Sequence, residues 1–390
     1  MTEAALTLDP AILAALFSPF TLKRTTFANR FLMAPMTREF SPENLLTADA
    51  PAYYARRVEG GAAGILTEGS AIPHPASHFT TRVPNFYGPS LAGWAEVARA
   101  VHAAGGVAIA QLWHLGVKRD PARTAHPDAL SVGPSASERT PSRAMTPQDI
   151  AEVIEAYAQG AANAQAAGFD GVEIHGAHGY LPDQFFWAEN NRRSDAYGGA
   201  MTNRVRFAVE LVQEVRRRAG ADFLIFFRFS QWKVGQYEAR VAETPQELEA
   251  WLAPLAEAGV DVFDASTRRF WIPEFEGSAM NLAGWAKKVT GKASMTVGSV
   301  GLDSPLRVER GGLAQLSNVA SDNLASLAAM FARGDFDLVA VGRILLSNPD
   351  WPNLVRAGRF DAIQPYRADL VRQRLESAVR MDDPPAPAEA

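Results

Sequence analysis

The chain has 390 residues, of which 47% are hydrophobic and 21% are charged, and it contains no cysteine. The absence of cysteine excludes disulfides, thiolate zinc sites, cysteine-ligated iron–sulfur clusters and a cysteine nucleophile. A formal net charge of −5 disfavours a nucleic-acid partner, because neutralising a phosphate backbone usually requires a basic face. The N-terminal residues are acidic rather than basic, and no apolar run approaches the ~20 residues of a membrane span, so we expect a cytoplasmic protein without membrane contact.

Eight short apolar segments recur along the chain, each followed by a longer stretch with helical periodicity. Most of them lack the polar alternation of a half-exposed sheet, which indicates parallel strands that are covered on both faces. The segments lie at residues 31–36, 64–67, 107–112, 171–175, 223–229, 260–264, 294–297 and 338–341. Eight such strands with helices between them predict a (β/α)8 TIM barrel of a single domain.

Two of the intervening helices carry clear start and stop signals. A threonine N-cap followed by proline opens each of them, at Thr146 and at Thr244, and a glycine ends each, at Gly168 and at Gly259. The repeated helix–loop–strand unit shows no boundary between two domains.

The chain divides into four segments, of which the barrel is the second. We expect residues 1–28 to close the barrel, residues 29–360 to form it, residues 361–381 to form a C-terminal helical segment and residues 382–390 to be a disordered tail. A long excursion after the third strand, residues 114–145, is rich in proline and has little periodicity. It is too long for a plain connection between strand and helix, so we interpret it as a lid or a subdomain.

Polar side chains stand at the carboxyl ends of four apolar strands, where a barrel places its active site. They are Thr37, Gln111, His175 and Arg228. Each alone is compatible with an ordinary capped, hydrogen-bonded or salt-bridged residue, but four at one mouth favour a ligand site. A buried arginine needs an anionic partner, and we find no carboxylate on the strands for Arg228 other than Glu68 and Glu173. We therefore predict that Arg228 faces a ligand with partial negative charge.

Glycine-rich turns follow the last two strands. Gly298, Ser299 and Gly301 come after the seventh strand, and Gly342 and Arg343 come after the eighth. Barrels commonly bind a phosphate at these two loops through exposed backbone N–H groups. Arg343 adds a charge-assisted contact. Two ordinary glycine turns would look similar, but their positions in the barrel favour a phosphate site.

Two histidines and a tyrosine lie close together after the fourth strand, at His175, His178 and Tyr180. The histidines could be a metal pair, but a metal site requires a third protein ligand, and no other His or Asp cluster obviously joins them. Neutral imidazoles can instead donate N–H bonds to a substrate oxygen. The phenol of Tyr180, with an ordinary pKa of ~10, is protonated at neutral pH and suits the role of proton donor.

Several motifs in a fixed order carry a resemblance to a known family. They are NR and APMTR between residues 29 and 38, TEG at 67–69, AQLWH at 110–114, the block FDGVEIHGAHGYLPDQFFWAENNRRSDAYGG at 169–199, Arg228, and VGR and NPD between 341 and 350. With these motifs the chain resembles the Old Yellow Enzyme family of FMN-dependent ene-reductases from about residue 16 to residue 359. The long block is the most specific of them.

The resemblance implies a tightly bound, non-covalent FMN on top of the barrel and NAD(P)H as the hydride donor. Backbone at Pro35, Met36 and Gly69 would line the flavin. Thr37 would hydrogen-bond the flavin O4, Gln111 the pyrimidine edge, and Arg228 would face N1 and O2. Gly298, Ser299, Gly301, Gly342 and Arg343 would take the phosphate.

The resemblance also implies the reaction. Hydride passes from NAD(P)H to the flavin N5 and then to the β carbon of an activated alkene, an α,β-unsaturated carbonyl or nitro compound. His175 and His178 would hold the carbonyl or nitro oxygen, and Tyr180 would protonate the α carbon. Trp113 would limit substrate size, and Phe270 would cover the pocket as part of residues 268–271, although a packed surface loop is an equal interpretation of that segment. We expect a monomer or a homodimer.

Departures from the family pattern and alternative functions accompany this hypothesis. His178 stands where many relatives have asparagine, Pro182 where many have leucine or isoleucine, and Thr37 where one subgroup has cysteine. The alternatives are a flavin barrel that reduces quinones, nitro groups or nitrate esters, a flavin protein without turnover, and a metal-dependent hydrolase or lyase with His175 and His178 as ligands. Flavin barrels with an iron–sulfur cluster are excluded by the absence of cysteine.

Overall fold

The computed structural model describes residues 10–304, 316–319 and 322–367, and eight of its strands form a closed parallel barrel. In chain order these strands are β1 (Phe31–Met33), β2 (Gly64–Leu66), β3 (Val107–Trp113), β4 (Gly171–His178), β5 (Leu224–Lys233), β6 (Val262–Ser266), β7 (Ala293–Val297) and β8 (Leu338–Val341). Each corresponds to one of the eight predicted strands. Because β1 pairs with both β2 and β8, the sheet closes on itself, and the (β/α)8 barrel prediction is confirmed.

Helices between the strands cover the outside of the barrel. They are α1 (Ala50–Glu59), α2 (Ser90–Ala103), α3 (Pro147–Ala166), α4 (Arg206–Ala219), α5 (Pro245–Ala258), α6 (Leu282–Thr290) and α7 (Asp322–Ala332). Four short helices lie at Leu181–Phe186, Met201–Arg204, Ile344–Ser347 and Trp351–Arg356. The predicted N-caps are present, since the side chain of Thr146 accepts the N–H of Asp149 and that of Thr244 accepts the N–H of Glu247, each at 3.2 Å.

Side chains alternate between the barrel interior and the helix layer along each strand. On β5, Leu224 and Phe226 pack inside the barrel, whereas Ile225 and Phe227 pack in the core between sheet and helices. The next inward position is Arg228, at the carboxyl end of the barrel. The period of two therefore puts a charged side chain directly above an apolar interior.

Shorter elements surround the barrel. An N-terminal hairpin pairs Phe20–Leu22 with Thr25–Phe27, and Phe27 packs with the apolar residues of the barrel interior. The excursion after β3 contains two short paired strands, Ser131–Gly133 and Ser142–Ala144. The described part of the chain ends with the strand Tyr366–Arg367, so most of the predicted C-terminal helical segment and the predicted tail lie outside the described residues. Within 10–304, 316–319 and 322–367, no helix combines the length and apolar character that crossing a bilayer requires.

Candidate active site

A cavity of about 280 Å³ opens at the carboxyl ends of the strands, and eight of the residues singled out in the sequence line it. They are Pro35, Met36, His178, Arg228, Gly298, Ser299, Gly342 and Arg343. Arg268, from the predicted covering segment 268–271, also lines the cavity. Further lining side chains had no role assigned from the sequence, among them Trp232, Val234, Tyr237, Ser266 and Thr267.

Other predicted residues lie beside this cavity rather than in its wall. A Cβ on Gly69 would lie 2.7 Å from the ring of Trp113 and 2.9 Å from Oε1 of Gln111, so these three residues are packed together. Thr37 is exposed at the same mouth. The structure thus brings the ends of β1, β2 and β3 to one side of the cavity.

Two predicted residues are turned away from the cavity. Gly301 faces Trp351, whose ring would lie 3.1 Å from a Cβ at that position, and its N–H donates to Oδ1 of Asn323 at 3.1 Å. Phe270 is fully buried in the main hydrophobic core, and its N–H donates to the carbonyl of Gly298 at 3.1 Å. Both residues therefore support the loops around the cavity and do not line it.

The turn after β7 has a backbone that requires glycine. Gly298 has a φ of +146°, and a Cβ there would lie 2.6 Å from Oγ1 and 2.7 Å from the carbonyl oxygen of Thr267. Ser299 follows with a φ of +55°, and its hydroxyl donates to the carbonyl of Arg268 at 3.0 Å. This conformation, which only glycine adopts readily, shapes one side of the cavity.

Gly342, after β8, is a glycine for a different reason. Its φ lies outside the left-handed region, and a Cβ would meet nothing nearer than Sδ of Met36 at 3.7 Å. Beside it, Arg343 donates to the carbonyl of Ser304 at 2.6 Å and to Oγ of Ser299 at 3.3 Å. Burial lowers the pKa of Arg343 to about 10, so its guanidinium is still charged at neutral pH. The missing side chain of Gly342 leaves open space next to a fixed cation, which fits a phosphate group.

The floor of the cavity contains an ion pair that corrects the prediction for Arg228. Its Nη1 pairs with Oδ2 of Asp264, and its Nη2 donates to Oγ of Ser266 at 3.3 Å. The expectation that no strand carboxylate other than Glu68 and Glu173 was available was wrong, because Asp264 lies on β6 directly opposite Arg228. Val262, Asp264 and Ser266 share the inward face of β6, so the period of two within the predicted strand was the signal that could have found this partner.

Glu173, on β4, is the other buried carboxyl group at this floor. Nε2 of Gln111 donates to its Oε1 at 2.7 Å. Burial raises the pKa of Glu173 well above its usual range, and the nearby carboxylate of Asp264 raises it further. Gln111 is thereby fixed near the carboxyl end of β3, with its amide oxygen directed toward Gly69.

His175, His178 and Tyr180 form an aromatic rim above this floor. The ring centroid of Tyr180 lies 4.9 Å from that of His175 and 6.4 Å from that of His178. Trp113 meets the ring of Tyr180 edge-on at 4.8 Å, and Trp232 stacks on His178 at 4.3 Å. Sequence reasoning brought together the first four of these side chains but missed Trp232, which lies near the carboxyl end of β5, beyond the predicted strand segment 223–229.

The rim residues are uncharged at neutral pH. Burial holds the pKa of His175 and of His178 well below the ordinary histidine value, and the charge of Arg228 lowers both further. Burial raises the pKa of Tyr180 to about 12. The rim therefore presents two neutral imidazoles and a protonated phenol, as the sequence-based hypothesis requires.

The histidine–tyrosine turn is held in an unusual backbone conformation. His178 has a φ of +64°, and Gly179 follows with a φ of +81°. The N–H of His178 donates to Oγ of Ser230 at 3.0 Å, and its carbonyl accepts Nζ of Lys118 at 2.8 Å. Nε2 of His178 lies 2.8 Å from Oγ of Ser266, which also contacts Arg228. A non-glycine residue in the left-handed region is strained, and strain of this kind is concentrated at functional sites.

Metal binding was the competing hypothesis for His175 and His178. In the part of the chain that the structure describes, no group of three or more His, Cys, Asp or Glu side chains is arranged to hold a metal ion. The two imidazole rings are instead perpendicular, with centroids 5.1 Å apart. The donor set favours hydrogen bonding to an organic ligand.

The open space beside Arg343, the buried guanidinium of Arg228 and the neutral donor rim at one barrel mouth fit the class of flavin-dependent barrel oxidoreductases. Residues 15–362 match the model of the NADH:flavin oxidoreductase / NADH oxidase family, and the chain belongs to this family. This confirms the predicted oxidoreductase activity with FMN and with NAD(P)H as reductant.

Three relatives illustrate the membership. A NADH oxidase of Thermoanaerobacter brockii is 30% identical over 361 residues, which are 90% of this chain and 52% of that protein, so the chain spans about half the length of this relative. 12-Oxophytodienoate reductase 7 of Oryza sativa subsp. japonica is 30% identical over 370 residues, covering 90% of this chain and 89% of that protein. The solved structure of the old yellow enzyme homologue of Zymomonas mobilis matches with a TM-score of 0.73 at 25% identity, covering 91% of this chain and 94% of that one. The resemblance to the Old Yellow Enzyme family is confirmed.

Proposed function

We propose that this chain is an ene-reductase that reduces activated alkenes, namely α,β-unsaturated carbonyl or nitro compounds, at the expense of NAD(P)H. The observation that carries the proposal is the uncharged rim of His175, His178 and Tyr180 above the cavity, with both histidine pKa values lowered and the tyrosine pKa raised to about 12. Bound FMN would supply the hydride chemistry, by which hydride from NAD(P)H reaches the β carbon of the alkene.

The cavity residues would hold this cofactor at both ends. Gly298, Ser299, Gly342 and Arg343 would bind the phosphate, with Gly301 supporting the turn through Asn323. At the ring end the proposed contacts come from backbone and polar groups around the barrel mouth. These are Pro35, Met36, Thr37, Gly69, Gln111 and Arg228. The open space beside Gly342 and the buried charge of Arg228 support this placement.

His175 and His178 would bind and polarise the substrate oxygen. Negative charge develops on the carbonyl or nitro oxygen as the β carbon accepts hydride, and N–H donors fixed in advance stabilise that charge. Nδ1 of His175 is buried and has no hydrogen-bond partner among the residues that the structure describes, so a ligand atom would satisfy it. Because both imidazoles are neutral, each offers one N–H donor without adding a charge to the site.

Tyr180 would deliver the proton to the α carbon. Its ring lies beside both histidines, so a substrate oxygen bound by them brings the adjacent carbons within reach of the phenol. A phenol with a pKa of about 12 keeps its proton at neutral pH until a strongly basic carbon requires it. Trp113, edge-on to Tyr180, would limit the size of the alkene on this side.

The test separates the two half-reactions. The purified protein should show flavin absorbance that bleaches anaerobically with NAD(P)H and returns on addition of a cyclic enone. In Tyr180→Phe, bleaching by NAD(P)H should persist while reoxidation by weakly activated alkenes slows by about 100-fold or more, the usual contribution of a general acid. If Tyr180→Phe matched the wild type in the rates of both half-reactions, Tyr180 would be excluded as the proton donor. A protein that binds no flavin would exclude the function itself.

A further inference from the structure

Four polar side chains lie together beneath the cavity, and each is at most 6% exposed. They are Gln111, Glu173, Arg228 and Asp264. Arg228 forms an ion pair with Oδ2 of Asp264, and Gln111 donates to Oε1 of Glu173 at 2.7 Å. One oxygen of each carboxyl group is thereby bonded to a different neighbour.

The second oxygen of each carboxyl group lacks the bond that its burial requires. Oε2 of Glu173 and Oδ1 of Asp264 are both buried, and within residues 10–304, 316–319 and 322–367 neither atom has a hydrogen-bond partner. The side chains of Glu173 and Asp264 nevertheless lie within hydrogen-bonding reach of each other. If both were ionised, two anions and one cation would be buried together with a net charge of −1, and two unpaired oxygens would repel each other. A single proton between them removes the excess charge and satisfies both atoms.

The surroundings decide which carboxyl group carries that proton. Asp264 is bonded to a guanidinium, which stabilises its anion. Glu173 receives only a neutral amide N–H from Gln111, so its anion is stabilised much less. Burial raises the pKa of both groups, but the charge of Arg228 opposes this most directly at Asp264 through their hydrogen bond.

We propose that Glu173 is a neutral acid that donates its proton to Oδ1 of Asp264, and that Asp264 is the ionised counter-ion that positions Arg228 toward the flavin. Glu173 and Asp264 are thus positioning residues, which act through Arg228. The part of this proposal that concerns the flavin rests on the proposed function; the shared proton does not.

The consequence for the flavin follows from the charge of the floor. With Glu173 neutral, Asp264 and Arg228 cancel, and the floor does not oppose the negative charge that the flavin gains on reduction. With Glu173 ionised, the floor would carry a net charge of −1 and would lower the reduction potential. The proton on Glu173 therefore keeps the flavin easier to reduce by the nicotinamide.

Infrared spectroscopy of the FMN-bound protein tests the shared proton directly. Protein prepared with glutamate labelled with ¹³C at the side-chain carboxyl should show a carboxylic acid C=O band at neutral pH that moves with the label. Glu173→Gln should abolish that band. Burial also raises the pKa of Glu68 to about 7, so Glu68→Gln is the matched control, and it should remove a different band only. The labelled wild-type spectrum requires no variant to fold.

The variant Asp264→Asn tests whether the carboxyl groups of Glu173 and Asp264 share one proton. Without the neighbouring anion, Glu173 should ionise as the new counter-ion of Arg228, and its acid band should disappear. An acid band that does not move with labelled glutamate, or that survives in Glu173→Gln beyond the contribution of Glu68, would overturn the assignment to Glu173. Absence of any such band in the wild type would overturn the shared proton.

The midpoint potential of the bound flavin provides the second readout. Glu173→Gln should leave the potential close to that of the wild type, since its amide N–H replaces the acid O–H and adds no charge. The double variant E173Q/D264N should raise the potential, because Arg228 then has no anionic partner. A rise in Glu173→Gln alone would mean that Glu173 is ionised in the wild type. Neither measurement depends on alkene turnover, so failure of the proposed reaction would leave this result standing.

Discussion

Gly342 offers a test in which the protein and the cofactor respond differently to the same methyl group. An alanine Cβ at this position would meet Sδ of Met36 at 3.7 Å and Cβ of Ala34 at 3.9 Å, both ordinary van der Waals contacts. The backbone is not left-handed there, so Gly342→Ala introduces no strain into the protein itself. The methyl group would instead occupy part of the space that we assign to the FMN phosphate.

The expected loss is that of one phosphate hydrogen bond or more. A hydrogen bond to a charged group contributes about 1.5–3 kcal/mol, so its loss raises the Kd for FMN about 10- to 150-fold. The apoprotein should be unchanged or more stable by about 0.4–1 kcal/mol, because alanine restricts the unfolded chain more than glycine does. Fluorescence titration gives the Kd, and urea unfolding of the apoprotein gives the free energy of unfolding.

Riboflavin and a second glycine supply the controls. Riboflavin lacks the phosphate, so its Kd should be the same for wild type and Gly342→Ala. Gly298→Ala should behave in the opposite way, since its Cβ would lie 2.6 Å from Oγ1 of Thr267 at a φ of +146°, and the apoprotein itself should lose stability. An unchanged Kd for FMN in Gly342→Ala would refute the phosphate cradle.

Three further outcomes are expected. Burial lowers the pKa of His74 from 6.5 to about 4, so as the pH falls the unfolded chain takes up this proton before the folded protein does. The contribution of His74 should therefore reduce the free energy of unfolding by about 3 kcal/mol between pH 6.5 and pH 4. In His74→Gln the urea midpoint should depend less on pH over that range. Asp183→Asn removes the anion bonded to Nζ of the buried Lys233 at 2.7 Å, and it should reduce the free energy of unfolding by about 3–5 kcal/mol, whereas an unchanged urea midpoint would mean that the pair contributes nothing. Trp113→Ala should lower KM for bulky cyclic enones and leave that for small ones nearly unchanged, as measured by steady-state kinetics; equal changes for both would contradict its role in limiting size.

The barrel and the glycine turns at its mouth were predictable because both depend on local signals. Eight apolar segments of strand length and two threonine–proline helix starts repeat in the chain, and closure of the sheet then fixes which loops meet. Loops after the seventh and eighth strands are neighbours in any such barrel, so Gly298 and Gly342 necessarily face each other across one cavity. Their roles differ, however, and only the surrounding atoms show that Gly298 is required by the backbone while Gly342 leaves space.

The partner of Arg228 was missed because a buried ion pair depends on register between strands. The period of two could have placed Asp264 on the inward face of β6, but it does not state that this position is level with Arg228 on β5. Phe270 lies in the core instead of lining the cavity, which agrees with the alternative interpretation of residues 268–271 as a packed loop. Its N–H is bonded to the carbonyl of Gly298, and such a long-range backbone bond leaves no periodic signal in the sequence.

The turn at His178 shows how the scaffold sustains a strained functional conformation. β4 and β5 are the longest barrel strands, and an irregularity in their pairing between Phe229 and Lys233 brings Lys233 level with His178. Lys233 bonds Asp183, and Asp183 accepts the N–H of Gly179 at 2.5 Å, so the extended strands anchor the turn from both sides. A left-handed residue costs of order 1–3 kcal/mol, and a buried, fully bonded anchor is sufficient to offset it. Substitution of Asp183 should therefore affect the position of Tyr180 as well as stability, which links the strength of this anchor to proton delivery.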